Sequence, residues 1–413
     1  MPMAPFDKVF DRARLARVAD CLAIAVAVSL PWSTSATGIL TALWLIAVLP
    51  TLNRRELQQT FALPAAVLSV ALVVLALLGM LWSEAPVAER LGGFQVFLRL
   101  LVIPLLFIEF RRSDRGMGVI VGFFVSCTVL LVLSWATKLV PALPSRPGFP
   151  RGIPVKDYVV QSGEFLICAF GLAHVALDVW RGQRRGLATG LIVLALAFLA
   201  NIAFVATGRT SLVAFAALLI VFGAQRGGWR GAIGVVLVGA ALAAVAWNFS
   251  PYLRSRVLGI ADEVQRYETQ QAETSSGYRL EFWKKSVDFV ETAPVFGHGT
   301  GSTEEMFRRA SVGATGIAAA ITSNPHNQIL LIAIELGLVG VAVLIAMWGA
   351  HGLLFRAAAL PAWLGLAIVV QNVVGSLFNA QLFYFTPGWT YVFGVGVLGG
   401  MALAARDRAR LEA

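Results

Sequence analysis

Apolar stretches recur along the chain, separated by short connectors in which the arginines and lysines collect. The runs 18–30, 61–82, 187–205 and 231–247 are each near or above the length that crosses a hydrocarbon core as a helix, allowing for tilt. None alternates with the period of two expected of a membrane-barrel strand. The pattern predicts an all-α polytopic membrane protein with about twelve transmembrane helices. One polar stretch breaks the rhythm late in the chain and predicts a long periplasmic loop between late spans. The expected organisation is 1–249 with helices one to nine, 250–326 as a periplasmic cap carrying amphipathic helices, and 327–413 with helices ten to twelve and a short cytoplasmic tail.

Composition agrees with that class. Hydrophobic residues make up 58% of the chain and charged residues only 14%, against about a quarter in a soluble domain. The charge pattern adds orientation. Lys8, Arg12, Arg14 and Arg17 open a series continued by Arg54/Arg55, Arg111/Arg112/Arg115, Arg181/Arg184/Arg185, Arg226/Arg230, Arg356 and Arg406/Arg408/Arg410. These clusters fall at every second connector, so both termini are expected in the cytoplasm of a bacterial inner-membrane protein. The net charge of +10 is largely this topological signal, and a nucleic-acid partner is not expected. The basic start runs directly into a first span, so no cleavable signal peptide is expected. Cys21, Cys127 and Cys168 each sit inside an apolar run, which argues against a disulfide framework or a metal cluster.

Positive charge on the outer side runs against the topological trend and asks for a local anionic partner. Arg146, Arg151 and Lys156 lie with Lys138 in a proline-rich outer connector, and Arg209 opens a span at its outer end. A planar guanidinium matches two phosphate oxygens, and the adjacent Gly208 would admit a ligand close to the backbone; snorkelling to the interface is the plain alternative for Arg209. In 323–327, Asn324 is placed to cap a helix with Pro325 at its first position and His326 in its first turn. There the helix end would hold the imidazole neutral and able to accept a proton; the alternative is an interfacial histidine that bonds only the loop. Phe282, Trp283, Val287 and Val290 share one face of an amphipathic stretch beside Lys284 and Lys285, suiting a helix at a lipid surface. The glycine-rich run 294–301, with Gly297 and Gly299, allows close backbone approach to a ligand. Arg254, Arg256, Arg308 and Arg309 are placed to meet phosphates of an acidic lipid. The outer acids Asp157, Asp262/Glu263 and Glu304/Glu305 form no ligand pattern with histidines, so neither metal nor cofactor is expected.

Three blocks, in order, resemble the O-antigen ligase and polymerase superfamily: the Arg209 element; Gly277-Tyr278-Arg279-x-x-Phe282-Trp283 followed by Pro294-x-x-Gly297-x-Gly299; and His326-Asn327-x-x-Leu330 continuing to Glu335-x-Gly337-x-x-Gly340. The resemblance implies a metal-independent glycosyltransferase of the periplasmic face. Its donor would be a glycan on undecaprenyl diphosphate and, in the ligase branch, its acceptor the lipid A–core of lipopolysaccharide, with membrane lipids around it. By motif position His326 corresponds to the catalytic histidine and Arg209 and Arg279 to the essential arginines. Arg146, Arg151, Lys156, Gly297, Gly299 and Asn327 are expected substrate contacts. The polymerase branch shares this architecture. The protein O-oligosaccharyltransferase branch tends to carry an additional C-terminal region, and here the chain ends soon after its last span. A lipid-linked glycan transporter would more typically show paired halves or broken helices.

Overall fold

The computed structural model describes residues 12–144, 146–357 and 359–412; the basic position Lys8 lies outside them. Among the described residues there is no strand. The helices run α1 (Arg12–Ser29), α2 (Thr34–Val48), α3 (Arg54–Phe61), α4 (Pro64–Gly79), α5 (Val87–Gln95), α6 (Val102–Arg112), α7 (Gly116–Leu139), α8 (Tyr158–Arg181), α9 (Arg185–Phe204), α10 (Arg209–Phe249), α11 (Pro251–Gln270), α12 (Ser275–Thr292), α13 (Thr303–Ala310), α14 (Gln328–Leu354), α15 (Leu360–Ser376) and α16 (Phe385–Glu412). Eight helices among the described residues are long and apolar enough to cross a membrane, and nine if the bent pair α3–α4 counts as one span. That bend is 88° and falls at Pro64, the first residue of α4, which supplies no backbone donor to continue α3.

The core sits where α16 runs between its neighbours. Gly396 and Gly400 bring the α16 backbone against Leu106 and Phe110 of α6, at positions a Cβ would close. Tight helix approach through small residues is what a bundle in lipid relies on, because lipid tails are as apolar as leucine. Polar groups inside the bundle are mostly paired. Trp44 donates to Glu109 at 2.7 Å, and His351 meets the Tyr391 hydroxyl at 2.6 Å. Side chains such as Val125, Val132, Val193 and Leu237 face outward, as lipid-facing positions do.

Two helices are interrupted at glycines. In α10 the break is at Gly227–Gly228, where Gly228 takes φ +61. Its arms fold back on each other, Gly223 abutting Gly231 and Ala232, and Gly239 abutting Leu219. In α14 the break is at Gly337, with φ +65 and ψ −166. The glycine-rich segment 294–301 fills that break. Leu338 N–H donates to Pro294 O at 2.8 Å, while His298 and Gly299 N–H donate to the carbonyls of Ile334 and Glu335 at 2.8 and 2.9 Å.

The polar stretch before α14 is folded. α12 packs on α14, and Phe282, Phe289 and Phe307 gather on Ile334 as a second small core. The buried face of α12 is therefore Phe282 and Phe289, while Val287, expected on the same face, is 47% exposed. The register was misread because Phe282 and Val287 are five apart, which rotates Val287 away from the Phe282–Phe289 line.

Candidate functional site

Helix ends converge on one side of the bundle: the starts of α8, α10, α12 and α14 and the link between α15 and α16. α10 begins at Arg209. Gly208 precedes it because a Cβ there would meet the Ser162 hydroxyl at 2.5 Å, so its face is closed by α8 and not open to a ligand. The Arg209 guanidinium is held as a fork by Glu263 of α11, at 2.9 and 2.6 Å. Its Nη1 also donates to Ser276 Oγ at 3.2 Å and its Nε to the Arg256 carbonyl at 3.2 Å. The hydrogen bonds from Arg209, with smaller help from Ser276, hold the Glu263 carboxyl down to about 2.

Arg279 lies in the second turn of α12 and makes no hydrogen bond or ion pair with another described residue. Burial lowers its pKa, and Tyr158, Arg209, Tyr384 and Glu263 stand within range of its charge. Arg256 stacks over the ring of the same Tyr158 at 4.7 Å, with a buried Nε that no group among the described residues accepts. The sequence places Arg256 in the outer loop, to meet phosphates of an acidic lipid core, and not with Arg209 and Arg279. Its place in the site depends on how α11 packs, which no local motif announces.

His326 is in neither helix. Asn327, not Asn324, caps α14, accepting from the N–H groups of Ile329 and Leu330 at 2.9 and 3.1 Å. Asn327 Nδ2 also donates to the Leu377 carbonyl at 3.1 Å, so this expected substrate contact is engaged by the chain itself. His326 has φ +57, and its N–H donates to Asn324 Oδ1 at 2.9 Å. Its ring lies parallel to Phe282, centroids 6.2 Å apart. Nδ1 meets Asn379 Oδ1 at 3.0 Å, and the same oxygen accepts from Ala380 N–H at 3.1 Å. A backbone donor identifies that atom as the amide oxygen, so Nδ1 carries the proton and Nε2 keeps its lone pair. Burial is the main cause of a lowered His326 pKa, with Arg279 adding to it against the Asn379 hydrogen bond. The helix end, the cause expected from sequence, is not the main one.

Other expected contacts are tied to the chain itself. Arg146 donates to the carbonyls of Val155 and Lys156, and Arg151 to those of Thr137, Val140 and Leu143. Lys156 reaches Leu30 O and the Thr386 hydroxyl. All three brace the connector before α8. Gly297 and Gly299, at φ +65 and +91, press on the backbone of α14 and of Gly79 and Ser83. Arg308 and Arg309 pair with Glu89, Glu304, Glu305 and Glu84, which neutralises them. Across Tyr384 from the arginines a cavity of about 350 Å³ is bordered by Glu89, Thr303, Glu304, Asn324 and Glu335. No group of three or more histidine, cysteine, aspartate or glutamate side chains suited to a metal occurs among the described residues.

A bundle of long apolar helices, with arginines gathered where several helix ends meet, defines a multi-pass α-helical membrane protein. Residues 194–345, from within α9 to within α14, match the family model described as O-Antigen ligase, and this supports membership of the chain in the O-antigen ligase and polymerase superfamily. The matched span holds Arg209, Arg256, Glu263, Arg279 and His326; Tyr158, Asn379 and Tyr384 lie outside it. A protein of Haemophilus influenzae described as uncharacterized is 27% identical over 166 residues, covering 33% of this chain and 41% of that relative.

Proposed function

We propose that the protein is a glycosyltransferase that moves a glycan from undecaprenyl diphosphate to the lipid A–core of lipopolysaccharide at the periplasmic face of the inner membrane. The observation that carries this reading is His326, with a free Nε2 lone pair, standing within the field of the unpaired Arg279. The eight long apolar helices and the bent pair, with α10 taken as two arms and with α1 and the shorter α15 added, make twelve crossings. Both termini then fall on one side and the arginine cleft on the other, which the basic connectors favour as the periplasm.

In the reaction an acceptor hydroxyl attacks the anomeric carbon of the donor sugar, and the carbon–oxygen bond to the diphosphate breaks with inversion. The hydroxyl proton passes to His326 Nε2. The diphosphate leaves with its new charge held by Arg279 and Arg256, and by Arg209 once a phosphate takes the place of Glu263. The cavity beyond Tyr384, bordered by Glu89, Thr303, Glu304, Asn324 and Glu335, offers hydrogen-bonding groups to acceptor hydroxyls.

The test is direct. Purified protein is given a lipid-diphosphate-linked glycan together with lipid A–core, further donor repeat units or an acceptor protein. Glycan on the core supports the ligase reading. Chain elongation assigns the polymerase branch, protein modification the third branch, and movement of the lipid without transfer a transporter.

A further inference from the structure

Beneath Arg209, where the outer turns of α8 and α10 meet α15 and the start of α16, lies a chamber of about 50 Å³. Its size admits an ion or a few waters. Glu164 and Asn372 border it at 4% and 6% exposure. Among the described residues no group donates to either oxygen of Glu164, to Asn372 Oδ1 or to Gln371 Oε1, all on residues that line this chamber. Gln371 spends its Nε2 on the Gly163 carbonyl at 2.8 Å, and Thr390 spends its proton on the Thr386 carbonyl at 2.9 Å, leaving lone pairs on both oxygens. Among the described residues, the unmet buried atoms on this wall are therefore all acceptors. Buried acceptors around a carboxylate call for a cation or for donated protons.

Lys156 is the nearest ammonium, yet it is bonded to Leu30 O and the Thr386 hydroxyl and forms no ion pair with Glu164. Divalent ions of the calcium class usually draw on several carboxylates. Here a single carboxylate stands among neutral oxygens, which balances one positive charge. We propose that this chamber binds a monovalent alkali cation, coordinated by Glu164, Gln371, Asn372 and the Thr390 hydroxyl, which ties α8 to α15 and α16 beneath the arginine cleft. The proposal does not depend on the glycosyl-transfer reading.

The test uses full-length protein in detergent. Its unfolding temperature is followed by tryptophan fluorescence in sodium, potassium or N-methylglucamine chloride at constant pH and ionic strength. A saturable rise of a few degrees with sodium or potassium is expected, because a ligand that binds only the folded state stabilises it. That rise is expected to vanish in Glu164→Gln. Identical melting in all three salts overturns the proposal in favour of a protonated or merely hydrated carboxyl. A rise that persists in Glu164→Gln overturns it by locating the ion elsewhere. Should Glu164→Gln not fold, Thr390→Val decides: a higher half-saturating concentration is expected, and an unchanged one overturns the assignment.

Discussion

Asn379 determines which nitrogen of His326 bears the proton, and that choice decides whether the imidazole can act as a base. Asn379→Leu removes the acceptor while keeping much of the side-chain volume. The expected loss is on the order of 10–10² in kcat with the donor KM little changed, read from steady-state transfer kinetics. If donor KM rises in step with the loss, Asn379 instead supports the diphosphate site. A pH profile tests the imidazole itself. Burial holds His326 below its ordinary 6.5, so the acid limb of kcat/KM should have its midpoint below pH 6.5. An acid limb centred at 6.5 or above would contradict an imidazole in this environment. The motif made His326 legible in the sequence, but not its setting. Asn324-Pro325 and Asn327 are both good helix starts, and only packing against 377–379 selects the second. Asn379 had no local signal, because it meets His326 across 53 positions of chain.

At the scale of elements, α11 governs Arg209. Glu263 occupies the guanidinium fork that a diphosphate would use. Glu263→Gln should therefore lower the donor KM several-fold while loosening α11, with binding measured by donor titration and loosening by hydrogen exchange over 251–270. Unchanged donor affinity would mark the pair as purely structural. The same contact sets an acid response. The Glu263 pKa is depressed from 4.5 to about 2 in the folded protein. Its stabilisation is thus complete above about 4.5 and is lost as pH falls toward about 2. Sequence showed Arg209 as an isolated cation at a helix mouth, because an acid 54 positions away in an amphipathic helix carries no mark of its partner. The break in α14 makes a second element-scale prediction. At Gly337 an added Cβ would strike the Val295 carbonyl, and φ is +65. Gly337→Ala should cost roughly 1–3 kcal/mol for the backbone alone, with the clash added, seen as a lower melting temperature or failure to accumulate.

Across the whole molecule, the all-helical class with membrane-crossing helices was the most legible feature, since it is read from many apolar residues summed and survives error at any one. The number of spans was harder to read off the helices. α10 is continuous in apolarity through two arms, and only Gly227–Gly228 divides it. The topology is tested by single cysteines and an impermeant thiol reagent. Glu273→Cys, before α12, should label from outside in intact cells, and Arg184→Cys, between α8 and α9, only after permeabilisation. The reversed pattern would move the arginine cleft to the cytoplasm. One consequence concerns anyone who splices this protein with a relative. Because 294–301 is bonded into α14, the chain from Pro294 to Leu338 closes on itself as a clasp, and His326 rides on it. Splice points between those residues would separate two halves of one fastening, so the interchangeable unit is the whole clasp, its two glycine-bearing ends exchanged together.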